Sequence, residues 1–479
     1  MDLLASTSSE SRFCAYVEGL VGVIGHADRA MPLHDYCLGL LMPGERKSVE
    51  PMAAVTAPSR VPAQHQSLLH FVGNAPWSDE RVLAKVRELV LPAIEQRGPI
   101  AAWIIDDTGF PKKGRHSVGV TRQYCGQLGK QDNCQVAVTL SIANHAASLP
   151  IAYRLYLARE WAADAARRTK AGVPETIGFA TKPEIALAQI RAAVAADIAR
   201  GVVLMDAGYG SDTDLRTEIA ALGLCYIAGI QPHATVWPPG TGPLPAKPWS
   251  GRGRPTSRTR RDREHQPISA KALALALSQT AWQTIAWREG TADWLTSRFA
   301  RMRVRVAHRD EGIKEPRAEE WLLIEWPEGE KEPTKYWFAN LPEDMPFERL
   351  VDLAKLRWRI ERDYQELKQE LGLGHYEGRG WRGFHHHAAL CIAAYGFLIS
   401  ERETIPPSGP GAAAKLPALA VPDRYQPRSA TDPTRAPHPE LDRDDAPTPY
   451  RRPRQEPRPM SMLPRNAQAT LLAHNIVTQ

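Results

Sequence analysis

Residues 101–107, Ala101-Ala102-Trp103-Ile104-Ile105-Asp106-Asp107, form a short unbroken apolar run that ends on two carboxylates. A run of this length, apolar on both faces, reads as a buried strand. Two further strand-like runs follow, Cys134 to Ile142 and Leu149 to Leu157, with Asn144-His145 as turn material between them. The pattern then alternates. A helical stretch from about Lys182 to Arg200 leads into the strand Val202-Val203-Leu204-Met205, which ends at Asp206. A helix from about Ser211 to Leu222 and a strand from Cys225 to Ile230 complete a β-α-β unit. Three strands in hairpin succession, then alternating helix and strand, is the order of a mixed sheet whose antiparallel strands come first.

Outward from this centre the chain divides by composition. Residues 1–98 read as a helical N-terminal region, in which Ser78-Asp79-Glu80 caps a helix with Val82, Leu83, Val86, Leu89 and Val90 at helical spacing. Residues 99–230 carry the strands just described. Residues 231–345 are irregular and β-rich, with a basic loop holding Arg252, Arg254, Arg258, Arg260, Arg261 and Arg263. Its candidate strands are Trp282 to Trp287, Ser297 to Ala307, Glu320 to Trp326 and Lys335 to Ala339. This stretch reads as an insertion, because a carboxylate-bearing helix resumes after it within residues 346–403. That helix, about Pro346 to Leu373, carries Leu353, Leu356, Ile360, Tyr364, Leu367 and Leu371 as one amphipathic stripe. A second helix, about Phe384 to Arg402, closes the folded part, and residues 404–479, rich in Pro and Arg, are predicted to be largely disordered. The expected fold class is α/β: a ribonuclease-H-like mixed sheet flanked by helices, with an inserted β-rich domain and a helical N-terminal region.

The formal net charge of +6 and pI near 8.9 suit a polyanionic partner without establishing one. The cysteines at 14, 37, 125, 134, 225 and 391 form no CxxC pair, which argues against a zinc ribbon or a disulfide framework. No stretch approaches the roughly 20 apolar residues of a membrane span, so a soluble, cytoplasmic protein without a membrane partner is expected.

Cleavage of a phosphodiester by two metal ions needs carboxylates from separate elements converging on one point, to hold two Mg²⁺ or Mn²⁺ ions roughly 4 Å apart. Asp106 or Asp107 at the end of the first strand, Asp206 at the end of the fourth and Glu361 on the strong helix meet that need. Because the first strand is apolar on both faces, alternation does not say which of Asp106 and Asp107 points into the site; Asp106 is taken as the ligand alongside Asp206 and Glu361. On the helix, Arg357, Glu361 and Lys368 share one face beside the apolar stripe, which suits metal binding with phosphate contacts on either side.

Residues 103–114 (Trp-Ile-Ile-Asp-Asp-Thr-Gly-Phe-Pro-Lys-Lys-Gly), Val118 to Gly126 and Asn133 to Val136 resemble bacterial insertion-sequence transposases of the DDE class. So do residues 356–368, which look like the Y-x2-R-x3-E-x6-K signature of the cut-and-paste branch. Arg357 fits its Arg, Glu361 its Glu and Lys368 its Lys, whereas the Tyr position falls on Ala354, a departure. The resemblance spans about residues 30–400. It implies a DNA transposase that cleaves transposon ends and transfers them into target DNA, with two Mg²⁺ ions and a homodimer gripping terminal inverted repeats. The N-terminal region would then bind DNA ends, and Lys112, Lys113, Arg115, Arg122, Arg357, Tyr364 and Lys368 would contact DNA. Two other functions compete: a nuclease or resolvase on the same fold, and a transposase-derived DNA-binding protein without catalysis.

His385-His386-His387 is geometrically poor as a three-ligand zinc site, since consecutive residues do not share a helix face, and is expected on the helix surface. Gly208-Tyr209-Gly210 lacks the third glycine of a dinucleotide-binding loop.

Overall fold

The computed structural model describes residues 8–404 apart from 249, 253–256, 290–293 and 311–312; the tail expected to be disordered lies outside the described residues. The N-terminal region is helical: α1 (Ser9–Val21), α2 (Ala30–Leu41), α3 (Val49–Thr56), α4 (Val61–Gly73) and α5 (Asp79–Gln96). Ser78 caps α5 by accepting from the Arg81 amide, and Val82, Leu83, Val86 and Val90 are its buried face.

The sheet follows: β1 (Ala102–Pro111), β2 (Thr121–Cys125), β3 (Lys130–Ala143) and β4 (Ser148–Leu155). Helices α6 (Arg159–Ala163), α7 (Ala165–Ala171) and α8 (Lys182–Ala195) lead to β5 (Val202–Met205). After it come α9 (Ala207–Gly210), α10 (Thr213–Ala221) and β6 (Tyr226–Ile230). β3 runs antiparallel between β1 and β4, while β1, β5 and β6 are parallel neighbours. This is the ribonuclease-H-like arrangement, an antiparallel hairpin series on one side of β1 and a β-α-β unit on the other. β1 is longer than its apolar run suggested, because Thr108 to Pro111 continue the ladder against β3.

The β-rich stretch extends the same sheet. It contains β7 (Thr235–Trp237), β8 (Ile268–Ser269), α11 (Ala270–Leu275), β9 (Gln283–Glu289), β10 (Trp294–Val306), β11 (Glu319–Trp326) and β12 (Lys335–Ala339). β12 pairs with β6 from Tyr336↔Ile230 to Ala339↔Ile227, and β11 and β10 add beyond it. Val304, Leu322, Ile324, Tyr336 and Phe338 form a second apolar core on one face of these added strands. The arginines of the basic loop that are described do not all face solvent: Arg261 donates to the Ala307 carbonyl at 2.6 Å and pairs with buried Asp310.

The long helix expected from 346 to 373 is broken into α12 (Phe347–Lys355) and α13 (Trp358–Gln369). The joint is a tightened turn: the Leu356 amide bonds to Leu353 O at 3.1 Å, Arg359 to Leu356 O at 3.2 Å and Ile360 to Arg357 O at 3.2 Å. The apolar stripe nevertheless stays buried across the joint, through Leu353, Leu356, Ile360, Tyr364 and Leu367.

α14 (Trp381–Thr404) packs between the N-terminal helices and the sheet. Its three histidines are not surface positions; all are at most 6% exposed. His385 accepts from the Leu155 amide of β4, His386 stacks on Trp77 with ring centres 3.5 Å apart, and His387 bonds the Tyr36 hydroxyl of α2. The helix is apolar all round, so its polar residues become joints between layers.

Candidate active site

β1 and β5 run parallel in the register Ile104↔Leu204, and two residues further on this places Asp106 and Asp206 level on neighbouring strands, facing the same side. Asp206 caps α9: its Oδ1 accepts from the Gly208 amide at 2.9 Å and the Tyr209 amide at 3.1 Å. Its Oδ2 accepts no hydrogen bond from the described residues. Asp106 is built alike, with Oδ1 accepting from the Asp107 amide at 2.8 Å and Oδ2 left for a cation, the Arg357 guanidinium at 2.9 Å. One oxygen of each carboxylate is pinned by main chain and the other is on offer. α9 must lie close against β6 to hold Asp206 here. A Cβ at Gly210 would come 2.1 Å from the Gly229 carbonyl, and one at Gly229 would come 2.9 Å from the Ala207 nitrogen.

Alternation separates the two adjacent aspartates. Asp106 faces α13 through Arg357, whereas Asp107 faces α8, where Lys182 Nζ sits 2.7 Å from its Oδ2 and the Tyr209 hydroxyl lies 3.4 Å from the same oxygen. Burial pushes the Asp106 carboxyl up to about 7; Arg357 pulls it down and the neighbouring Asp206 charge adds to the rise. Tyr209, buried among Asp106, Asp107 and Asp206, has its phenol raised far above the ordinary range, chiefly by burial.

Glu361 lies on the first turn of α13, 73% exposed, with Arg357 Nη1 3.6 Å from its Oε1. Arg357 therefore stands between Asp106 and Glu361 and also feels the charge of Asp206. Among the described residues no three His, Cys, Asp or Glu side chains converge as a group that could hold a metal ion, since Glu361 points outward. The donor set is all carboxylate oxygen, which suits hard cations such as Mg²⁺ or Mn²⁺. Of its half-buried members, Asp106 already pairs with a cationic group, Arg357, which also feels the charge of Asp206.

The remaining candidates fall into two groups. Lys113, Arg115 and Arg122 are exposed. Lys112, Tyr364 and Lys368 turn inward: Lys112 Nζ donates to the Tyr376 carbonyl at 2.8 Å, the Tyr364 hydroxyl bonds Thr139 on β3, and Lys368 Nζ donates to the Gly109 carbonyl at 2.9 Å. Burial lowers Lys368 to about 8, opposed by Cys125 and Asp106. Sequence reasoning missed Lys182 and Tyr209. Tyr209 had a signal, three positions after a residue capping its own helix, but Lys182 is joined to Asp107 only by the fold.

A ribonuclease-H-like sheet with aspartates level on β1 and β5 defines a nuclease-type α/β fold. The family model described as DDE superfamily endonuclease matches residues 19–293, more than half of the chain. The chain belongs to that family. The match includes Asp106, Asp107 and Asp206 and ends before Arg357, Glu361 and Lys368. The chain is also 31% identical over 220 residues to a protein of Microchaete diplosiphon described as a probable transposase for insertion sequence element IS701. That similarity covers 46% of this chain and 53% of the relative, so the chain spans about half the length of the curated relative it matches. No helix among the described residues is long and apolar enough to cross a membrane.

Proposed function

We propose that this protein is a DNA transposase that cleaves the ends of an insertion element and joins them to target DNA, using Asp106, Asp206 and Glu361 to hold two Mg²⁺ or Mn²⁺ ions. The observation that carries the reading is the pair of level carboxylates, each with one oxygen fixed by main-chain amides and the other turned to a cationic group or left without a protein partner. When bound, the metal ions would activate the attacking oxygen and neutralise charge on the leaving one. The chain's own part is positional. The β1–β5 register fixes Asp106 and Asp206, while exposed Glu361 completes the set by a rotamer change and Arg357 is released toward phosphate. Lys113, Arg115 and Arg122, exposed beyond the end of β1 and along β2, supply contacts to the DNA backbone. Lys112, Tyr364 and Lys368 brace the loop after β1 and the face of α13. A homodimer would bring two terminal inverted repeats together, one end held by each subunit.

The test is a divalent-metal assay with labelled element ends and a target duplex. The wild type should give both cut ends and joined products, and Glu361→Gln should give neither while retaining DNA affinity. Cut ends without joined products would leave a nuclease on the same fold. Normal cleavage by Glu361→Gln would remove this residue from the site.

A further inference from the structure

The run Lys355-Leu356-Arg357-Trp358-Arg359 lies where α12 breaks into α13, and its three cations reach three different places on the sheet. Arg357 meets Asp106 of β1 at 2.9 Å. Arg359 donates to the His145 carbonyl in the turn between β3 and β4. Lys355 goes the other way, into the β-rich strands. Its Nζ pairs with Glu325 of β11 and lies 4.6, 5.5 and 6.0 Å from the ring centres of Trp287, Phe299 and Trp337, on β9, β10 and β12. Trp358, the first residue of α13, is flanked by the guanidinium groups of Arg288 at 4.0 Å and Arg359 at 5.0 Å.

The Lys355 and Glu325 side chains are only 11% and 6% exposed, and Glu325 Oε2 is buried without a hydrogen-bond partner. Burying such a pair costs much of what the attraction returns, and well-packed apolar side chains of similar volume often hold two elements together as firmly. Stability alone therefore does not account for a lysine boxed by three aromatic rings. Direction does. A cation boxed on several sides, with one carboxylate to point at, fixes where its helix ends, and Arg357 begins the next turn two residues later.

We propose that Lys355 is a positioning residue: held by Glu325 and by the box of Trp287, Phe299 and Trp337, it sets the helix joint so that Arg357 meets the carboxylate of Asp106, with Glu361 one turn further on beside Arg357. The β-rich extension is thereby coupled to the acidic centre through one side chain. The consequence for cleavage rests on the transposase reading above; the consequence for the joint does not.

The double variant Lys355→Met/Glu325→Leu removes both charges together and leaves no orphaned ion, so its melting temperature should stay near that of the wild type. Hydrogen exchange at the Arg359 and Ile360 amides, which close the joint, should speed up by at least about tenfold while α14 is unchanged. Single-turnover cleavage of labelled DNA ends should fall by about tenfold to a hundredfold with DNA affinity unaltered. Lys355→Arg, which keeps a cation able to stack on the rings, should recover part of both losses. Should the double variant unfold, Glu325→Gln carries the same readings with smaller changes. Wild-type exchange with wild-type cleavage overturns the proposal. Slower cleavage without faster exchange overturns it too, and faster exchange with full cleavage cuts the link to the reaction. If the wild type itself cleaves no DNA, the transposase reading fails while the exchange at the joint still decides whether Lys355 positions it.

Discussion

Two parts of this molecule bury titratable side chains, and they satisfy them in opposite ways. In α14 the ring nitrogens of three consecutive histidines face mostly main chain: His385 the Trp381 carbonyl and Leu155 amide, His386 the Val72 and Trp77 carbonyls, to one of which a neutral ring donates, and His387 the Gly372 carbonyl and the Tyr36 hydroxyl. In the middle of β1 and at the end of β5 the carboxylates give one oxygen to main chain and turn the other elsewhere, to a guanidinium at Asp106 and to no protein partner at Asp206 among the described residues. Main-chain partners cannot leave without unfolding, whereas a side-chain cation can be traded for a ligand. The histidines, despite their metal-like composition, are joints between layers, and the aspartates keep the exchangeable partner that the proposed site requires.

The contrast should break most visibly at Asp206. Asp206→Asn keeps the Oδ1 cap of α9 but removes the charge, so divalent-metal-dependent cleavage should fall by about three orders of magnitude or more. Thermal stability should hold or rise, because a charge that opposes ionisation of Asp106 is gone. A matching loss of stability would show that Asp206 belongs with the structural class.

His387→Ala should do the reverse. It strips a partner from the Tyr36 hydroxyl and the Gly372 carbonyl in a fully packed interior, at a cost of about 2–4 kcal/mol. Chemical denaturation would read that cost, with no change in metal affinity in the protein that remains folded.

Acid sharpens the same contrast. Burial holds His386 and His387 at about 4, below the ordinary 6.5. In the native protein both are neutral from pH 6.5 down to about 4, while the unfolded chain takes up protons across that interval. Their contribution is fully present above pH 6.5 and is lost as pH falls toward 4, each histidine costing about 1.4 kcal/mol for every pH unit crossed in between. Melting temperatures measured across this window should show a shallower slope in His386→Phe than in the wild type.

The smallest effect belongs to the surface. Lys113→Ala should leave stability unchanged and lower the slope of log affinity for DNA against log salt by about one. An unchanged slope would mean that this exposed lysine faces no phosphate.

Much of this was legible in the sequence, for identifiable reasons. Strands β1, β3, β4, β5 and β6 and the placement of Asp206 followed from apolar runs with turn residues between them. The facing of Asp106 and Asp107 did not, because Trp103, Ile104 and Ile105 are buried on both faces and leave alternation nothing to distinguish. The joint at Leu356-Arg357 was hidden since a single tightened turn leaves the apolar stripe nearly in phase. The burial of the α14 histidines is not legible in sequence because an all-round apolar helix has no solvent face against which to judge them. Lys182 and Lys355 carry no motif; their partners Asp107 and Glu325 lie 75 and 30 positions away in sequence.

Two adjacent residues with opposite assignments offer the most direct test. Asp106→Asn and Asp107→Asn should be compared in metal-dependent cleavage of a labelled element end. Asp106 Oδ2 pairs with Arg357, the same guanidinium that reaches toward Glu361, and Asp107 is committed to Lys182 and Tyr209. Asp106→Asn is expected to lose at least about a thousandfold in cleavage and Asp107→Asn no more than about tenfold. Full activity in Asp106→Asn, with activity abolished in Asp107→Asn, would contradict this division of roles.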